Sequence, residues 1–180
     1  LLKKTETLEA LYQMTVPHDL SHMIGEALQH LGVPMEAECR KKFRFSQISA
    51  VQRYENTAYE LQRLYAFFEE IEVRYIPLKG TVLRQYYPNP EQRTSCDIDL
   101  LISQNDMEKT TDLLQEKLNY RKLHAGSCDV SFVSPYGGHL ELHFKLMDEK
   151  DYSAISEILE TVWEYAEPGA VYPHRYEMKP

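Results

Sequence analysis

The stretch Cys96-Asp97-Ile98-Asp99-Leu100-Leu101-Ile102 sets two carboxylates one residue apart inside an apolar run. A run of this length reads as a buried strand. Side chains on a strand alternate between faces, so Asp97 and Asp99 share one face while Ile98 and Leu100 take the other. Two like charges at that spacing repel, and each costs several kcal/mol if buried without a partner. A divalent cation between them is the economical compensation. The plain alternative is a strand-end pair open to water or matched to Arg93.

The later segment Gly138-His139-Leu140-Glu141-Leu142-His143-Phe144 alternates polar and apolar residues, which places His139, Glu141 and His143 on one face of another strand. Glu141 is the natural third acidic ligand. Carboxylates from two neighbouring strands suit Mg2+ or Mn2+, which prefer oxygen ligands together with water and phosphate. Two such ions can clamp the attacking and leaving oxygens of a phosphoryl displacement. Glu141 is also open to reading as the solvent face of a hairpin. With His139 and His143 it is open to reading as a zinc site and a hydrolase.

Before the carboxylates, Arg74-Tyr75-Ile76-Pro77-Leu78 is a short strand, followed by a Lys79-Gly80-Thr81 turn and a helical segment from Val82 to Tyr87. A glycine there lets backbone N–H groups approach an anion closely, and a helix N-terminus favours negative charge. Lys79 and Arg93 are the candidate cations for a phosphate, although Arg93 serves equally as a salt-bridge partner. Pro88-Asn89-Pro90 is a loop.

The rest of the chain supplies the frame. A short helix capped by Thr5 or Thr7 runs to about Met14, and Pro17-His18-Asp19 breaks it. Leu20, Met23, Ile24, Ala27, Leu28 and Leu31 then recur at helical spacing until Gly32-Val33-Pro34. From Met35 to about Glu70 the pattern is again helical, with a break near Phe43 to Ser46. Ile48, Val51, Tyr54, Ala58, Leu61, Leu64, Tyr65 and Phe68 mark its packing face, and Arg63, Glu69 and Glu70 a solvated edge. Ser103 or Asn105 caps a helix from Asp106 to Leu118. Asn119 to His124, Asp129 to Ser134 and His139 to Phe144 read as strands, with a turn at Tyr136-Gly137-Gly138. A final helix spans about Tyr152 to Tyr165.

This order predicts an α+β protein: a helical N-terminal region over 1–70, a small mixed β-sheet flanked by helices over 71–165, and an irregular tail over 166–180. Length and composition suit a soluble globular chain, and no apolar run is long enough for a membrane span. The start does not read as a signal peptide, so the expected location is cytoplasmic. A first residue that is not Met suggests a piece of a longer protein. Cys39, Cys96 and Cys128 are too few and too scattered for a disulfide framework and read as reduced thiols. A net charge of −8 disfavours binding to duplex nucleic acid.

As a set, Leu78-Lys79-Gly80, Tyr86-Tyr87-Pro88, Arg93 with Asp97-Ile98-Asp99-Leu100-Leu101-Ile102, and Glu141-Leu142-His143 resemble the uncharacterised bacterial nucleotidyltransferase family of the DNA polymerase beta-like superfamily. The resemblance covers about Tyr75 to Phe144. It implies Asp97, Asp99 and Glu141 as metal-binding and catalytic residues, with a nucleotide held by Lys79, Gly80, Thr81 and Arg93. In many members the turn glycine precedes glycine or serine and lies closer to the acidic pair; here Thr81 offers the hydroxyl. The implied activity is Mg2+-dependent transfer of a nucleoside monophosphate from an NTP to an acceptor hydroxyl on a small molecule or protein. The alternative is a non-catalytic module that binds a nucleotide or a protein on the same fold.

Overall fold

The computed structural model describes residues 5–95, 97–148 and 161–179. They divide into two compact units, one made of residues up to Asn56 with Arg84–Thr94, the other of Thr57–Leu83 with Ser95 onward. The helix α3 (Ala37–Glu70) supplies residues to both.

In the first unit, α1 (Thr5–Thr15) and α2 (Ser21–His30) are separated by a single-turn 3-10 segment at Val16–His18. Asp19 ends that turn in the left-handed region, at φ 51°. Leu8, Leu28, Cys39 and Phe43 form a small core, with Tyr12 edge-on to Phe43 at 5.1 Å. The break expected near Phe43 to Ser46 does not occur, because Phe43 is buried in this core and Ser46 Oγ donates back to the Lys42 carbonyl within the helix. Ile48 and Val51, expected on the packing face, are exposed. Here α3 buries Cys39, Phe43 and Ala50, a stripe on another side of the helix from Ile48.

The second unit is built on a five-stranded mixed sheet. Its strands are β1 (Tyr75–Pro77), β2 (Asp97–Ile102), β3 (Arg121–Ala125), β4 (Asp129–Val133) and β5 (His139–His143), in the order β1-β2-β5-β4-β3. Only β2 and β5 run parallel; the other neighbours are antiparallel. This confirms the α+β class. Short helix α4 (Lys79–Leu83) follows β1, and α5 (Met107–Leu118) follows β2 after a turn that Ser103 caps by accepting from the Asn105 N–H. Asn119, at φ 56°, closes α5.

Alternation sorts the sheet's two faces. Ile98, Leu100, Ile102, Leu140, Leu142, Val130 and Phe132 join Leu61, Leu64, Tyr65 and Phe68 of α3 and Leu114 of α5 in the main core. Leu101 points the other way, to Ile76 and Ala166. Fully burying such side chains contributes roughly 1.5–3 kcal/mol each, so this face sets the strand register.

The tail expected to be irregular carries a two-stranded antiparallel pair, β6 (Ala166–Pro168) and β7 (Tyr176–Met178), packed through Ala166, Trp163 and Tyr176. The expected final helix lies mostly outside the described residues, and Val162–Tyr165 is a 3-10 turn. At the end of α3, Glu70 is exposed as the edge reading expects, but Glu69 and Arg63 are not. Glu69 accepts the His174 backbone N–H and pairs with its ring at 2.7 Å, while Arg63 stacks over Tyr136 at 5.1 Å. Among the described residues no helix is long and apolar enough to cross a membrane.

One turn before Leu64, Glu60 is 3 % exposed. It accepts hydrogen bonds from the Tyr120 hydroxyl at 2.6 Å and the Ser134 hydroxyl at 3.1 Å, and Arg63 Nη1 lies 3.8 Å away. Ser134 Oγ in turn accepts from the Tyr136 and Gly138 N–H groups, holding the β4–β5 turn, where Gly137 sits at φ 86°. Sequence reading missed this network.

Candidate functional site

The parallel pairing of β2 with β5 sets Asp97 beside His139, Asp99 beside Glu141 and Leu101 beside His143. In-register parallel neighbours point to the same face, so the sheet face opposite the main core carries all of these polar side chains. Asp99 is 4 % exposed. Glu141 is more open, at 34 % for its side chain.

Lys79 reaches the same place from β1. The Leu78 N–H donates to the Asp99 carbonyl at 2.9 Å, which carries the chain past Asp99 as it leaves the strand. Lys79 itself is held at φ 47°, a left-handed conformation that costs a non-glycine residue roughly 1–2 kcal/mol. Its ammonium donates to Asp99 Oδ1 at 2.6 Å and to Glu141 Oε2 at 3.4 Å. His143 Nε2 lies 3.1 Å from Asp99 Oδ1 and 3.5 Å from Glu141 Oε2. One ammonium and one imidazole thus converge on the same two carboxylate oxygens.

The electrostatics follow from this crowding. Burial pushes the Glu141 carboxyl up, and the hydrogen bond and charge of Asp99 push it further, outweighing Lys79 and His143. Burial also disfavours the Asp99 charge, but hydrogen bonds from His143 and Lys79 hold its pKa below the ordinary carboxylate value. For Lys79 burial works against the ammonium, and Asp99 followed by Glu141 overcomes it, raising the pKa.

Asp99, Glu141 and His143 form a group of possible metal donors whose atoms lie within 4.8 Å of one another. Two carboxylates fit a hard divalent cation. His143 donates its Nε2 proton to Asp99, so it orients the carboxylate unless that proton leaves. Asp97 shares the face but stands outside this group, and so does His139, which is exposed; the zinc triad of His139, Glu141 and His143 does not form. Arg93 belongs to the first unit, where its Nη1 donates to the Thr94 carbonyl.

Gly80 has a packing reason that the sequence concealed. A Cβ there would lie 2.5 Å from Ser95 Oγ and 2.7 Å from Ser95 Cβ, so the turn closes on Ser95. Thr81 Oγ1 is buried without a hydrogen-bond partner among the described residues.

A family model described as an uncharacterised nucleotidyltransferase matches residues 4–180. The chain belongs to this nucleotidyltransferase family. No curated protein and no solved structure matches the chain. For a nucleotidyltransferase the cluster at Asp99 and Glu141 is apt chemistry, because such enzymes act on strongly anionic substrates in the company of divalent metals. What the sequence did not reveal is that Lys79 and His143 are the partners of Asp99, since β1, β2 and β5 meet only in the folded sheet.

Proposed function

We propose that the second unit carries a Mg2+-dependent nucleotidyltransferase centre of the DNA polymerase beta-like type, which moves a nucleoside monophosphate from an NTP to an acceptor hydroxyl. The observation that carries this reading is the register of Asp99 against Glu141 on adjacent parallel strands, with their oxygens converging beside Lys79. Asp99 and Glu141 hold the cation, and Asp97, one step along the same face, completes its acidic side. When bound, Mg2+ or Mn2+ neutralises phosphate charge and lowers the pKa of a hydroxyl beside it.

The chain's own residues do the rest. His143 keeps Asp99 Oδ1 in place through its Nε2–H. Glu141, the more open of the two carboxylates, accepts the proton of the acceptor hydroxyl as the new phosphoester bond forms and pyrophosphate leaves. Lys79 gives positive charge to the phosphates, and the buried Thr81 hydroxyl, which has no hydrogen-bond partner among the described residues, offers one beside the Gly80 turn. Positioning and charge neutralisation account for most of the rate.

Pyrophosphate release from each NTP in the presence of Mg2+ tests the reading. Asp99→Asn should abolish it with the circular dichroism spectrum unchanged; undiminished turnover in that variant would overturn the assignment. Calorimetric binding of NTP with Mg2+ but no pyrophosphate release from any acceptor pool would instead assign the chain as a nucleotide-binding module.

A further inference from the structure

We infer that Lys79 is a built-in stand-in for the cation: its ammonium occupies the Asp99–Glu141 seat in the metal-free protein and leaves it when metal binds, becoming free to meet the substrate's phosphates. This rests on the proposed metal role of that pair and adds a position and a movement to it. The Lys79 ammonium and an incoming cation need the same atoms, since Lys79 Nζ lies 2.6 Å from Asp99 Oδ1 and 3.4 Å from Glu141 Oε2. These are two of the three donor groups that lie close enough to share an ion. A divalent ion coordinated by those oxygens would stand within a few ångströms of the ammonium, and the like charges repel.

The seat and its occupant are also unequal in mobility. Asp99 is fixed, its side chain 5 % exposed and held by His143 as well as by Lys79, whereas the Lys79 side chain is 58 % exposed. A long flexible lysine can therefore swing into solvent while the carboxylates stay where they are. Without the ammonium, a buried and a half-buried carboxylate would face each other with, among the described residues, His143 alone bridging them. Lys79 thus keeps the empty seat assembled. Because it yields to an ion and then has no carboxylate partner, it is a positioning residue for the metal-free form and a phosphate ligand for the loaded one.

Mn2+ titration by calorimetry compares the wild type with Lys79→Met and Lys79→Arg, each checked for folding by thermal melting. Removing the competing charge should tighten Mn2+ binding by about tenfold or more, while Lys79→Arg stays near the wild type. Lys79→Met should melt lower than the wild type without metal and recover when Mn2+ is added. A second readout needs no variant: acylation of Lys79 by an amine-reactive ester, followed by mass spectrometry, should speed up in the wild type on adding Mn2+, because the amine loses its carboxylate partners. Equal or weaker Mn2+ binding by folded Lys79→Met, or an acylation rate indifferent to saturating Mn2+, overturns the inference while leaving the metal site standing. Absence of Mn2+ binding in wild type and Lys79→Met alike, or equal binding by Asp99→Asn, overturns both the inference and the metal reading beneath it.

Discussion

Two buried carboxylates in the same unit, Glu60 and Asp99, are nearly equally hidden from water, at 3 % and 4 % exposure, yet they are built in opposite ways. Glu60 meets two donating hydroxyls, with the Arg63 guanidinium 3.8 Å away as a countercharge, and no like charge intrudes. Asp99 faces a second carboxylate and keeps its charge only because Lys79 and His143 crowd onto one of its oxygens. Burial alone therefore does not mark a functional carboxylate. Opposition between two acidic groups does, since a structure has little reason to keep such a conflict that a bound cation would relieve.

The first way to break this comparison is to remove each carboxylate in turn. Asp99→Asn should lower NTP turnover by about a thousandfold in a chain that still folds, with a smaller drop in the urea midpoint than Glu60→Ala; a large loss of stability with activity retained would reverse the roles assigned to the two residues. Glu60→Ala should do the opposite, costing about 3 kcal/mol of stability because the Tyr120 and Ser134 hydroxyls lose a buried acceptor. Urea denaturation measures that cost, and Mn2+ affinity of the folded fraction should be unchanged.

The turn beside the site is the next test, because it separates packing from chemistry at Gly80. Gly80→Ala should cost about 2 kcal/mol through the collision with Ser95. Pairing it with Ser95→Gly should restore most of the stability. If the double variant regains stability but no activity, the glycine also serves the substrate.

The smallest effect concerns pH. Glu141 has a raised pKa in the folded protein, so its contribution to stability is present below its ordinary value of 4.5 and is lost as pH rises through the folded value. Asp99, with a lowered pKa, acts in the reverse sense: its contribution is present above 3.8 and lost as pH falls through its folded value. In metal-free protein, stability of the wild type relative to Glu141→Gln should decline as pH rises from 4.5, by less than about 1 kcal/mol given the partial exposure of Glu141. Urea midpoints across that range check the sign, and a relative gain with rising pH would refute it.

Much of the site was legible because strand alternation is a local rule. The spacing of Asp97 and Asp99, and of Glu141 and His143, fixes which side chains share a face before any partner is known. Glu60 carried one faint sign, its place on the apolar face of α3 four residues before Leu64, but helices tolerate many glutamates and none announces its burial. The break expected near Phe43 failed for a related reason: whether an aromatic run interrupts a helix depends on what it packs against, and Phe43 packs under Gly25, where a Cβ would lie 2.9 Å away.

The sequence by itself determined the α+β order, the strand that carries the paired aspartates, and the faces on which the acidic side chains stand, all consequences of periodicity along a single chain. Only the tertiary structure decided that Asp99, rather than Asp97, is the carboxylate enclosed with Glu141, that His143 parts company with His139 to serve it, and that Lys79 sits on both acids. Those choices depend on the register of β2 against β5 and on where β1 delivers its last residues. Both are set by burying apolar side chains on the far face of the sheet, so the chemistry of the near face follows from packing that no local pattern records.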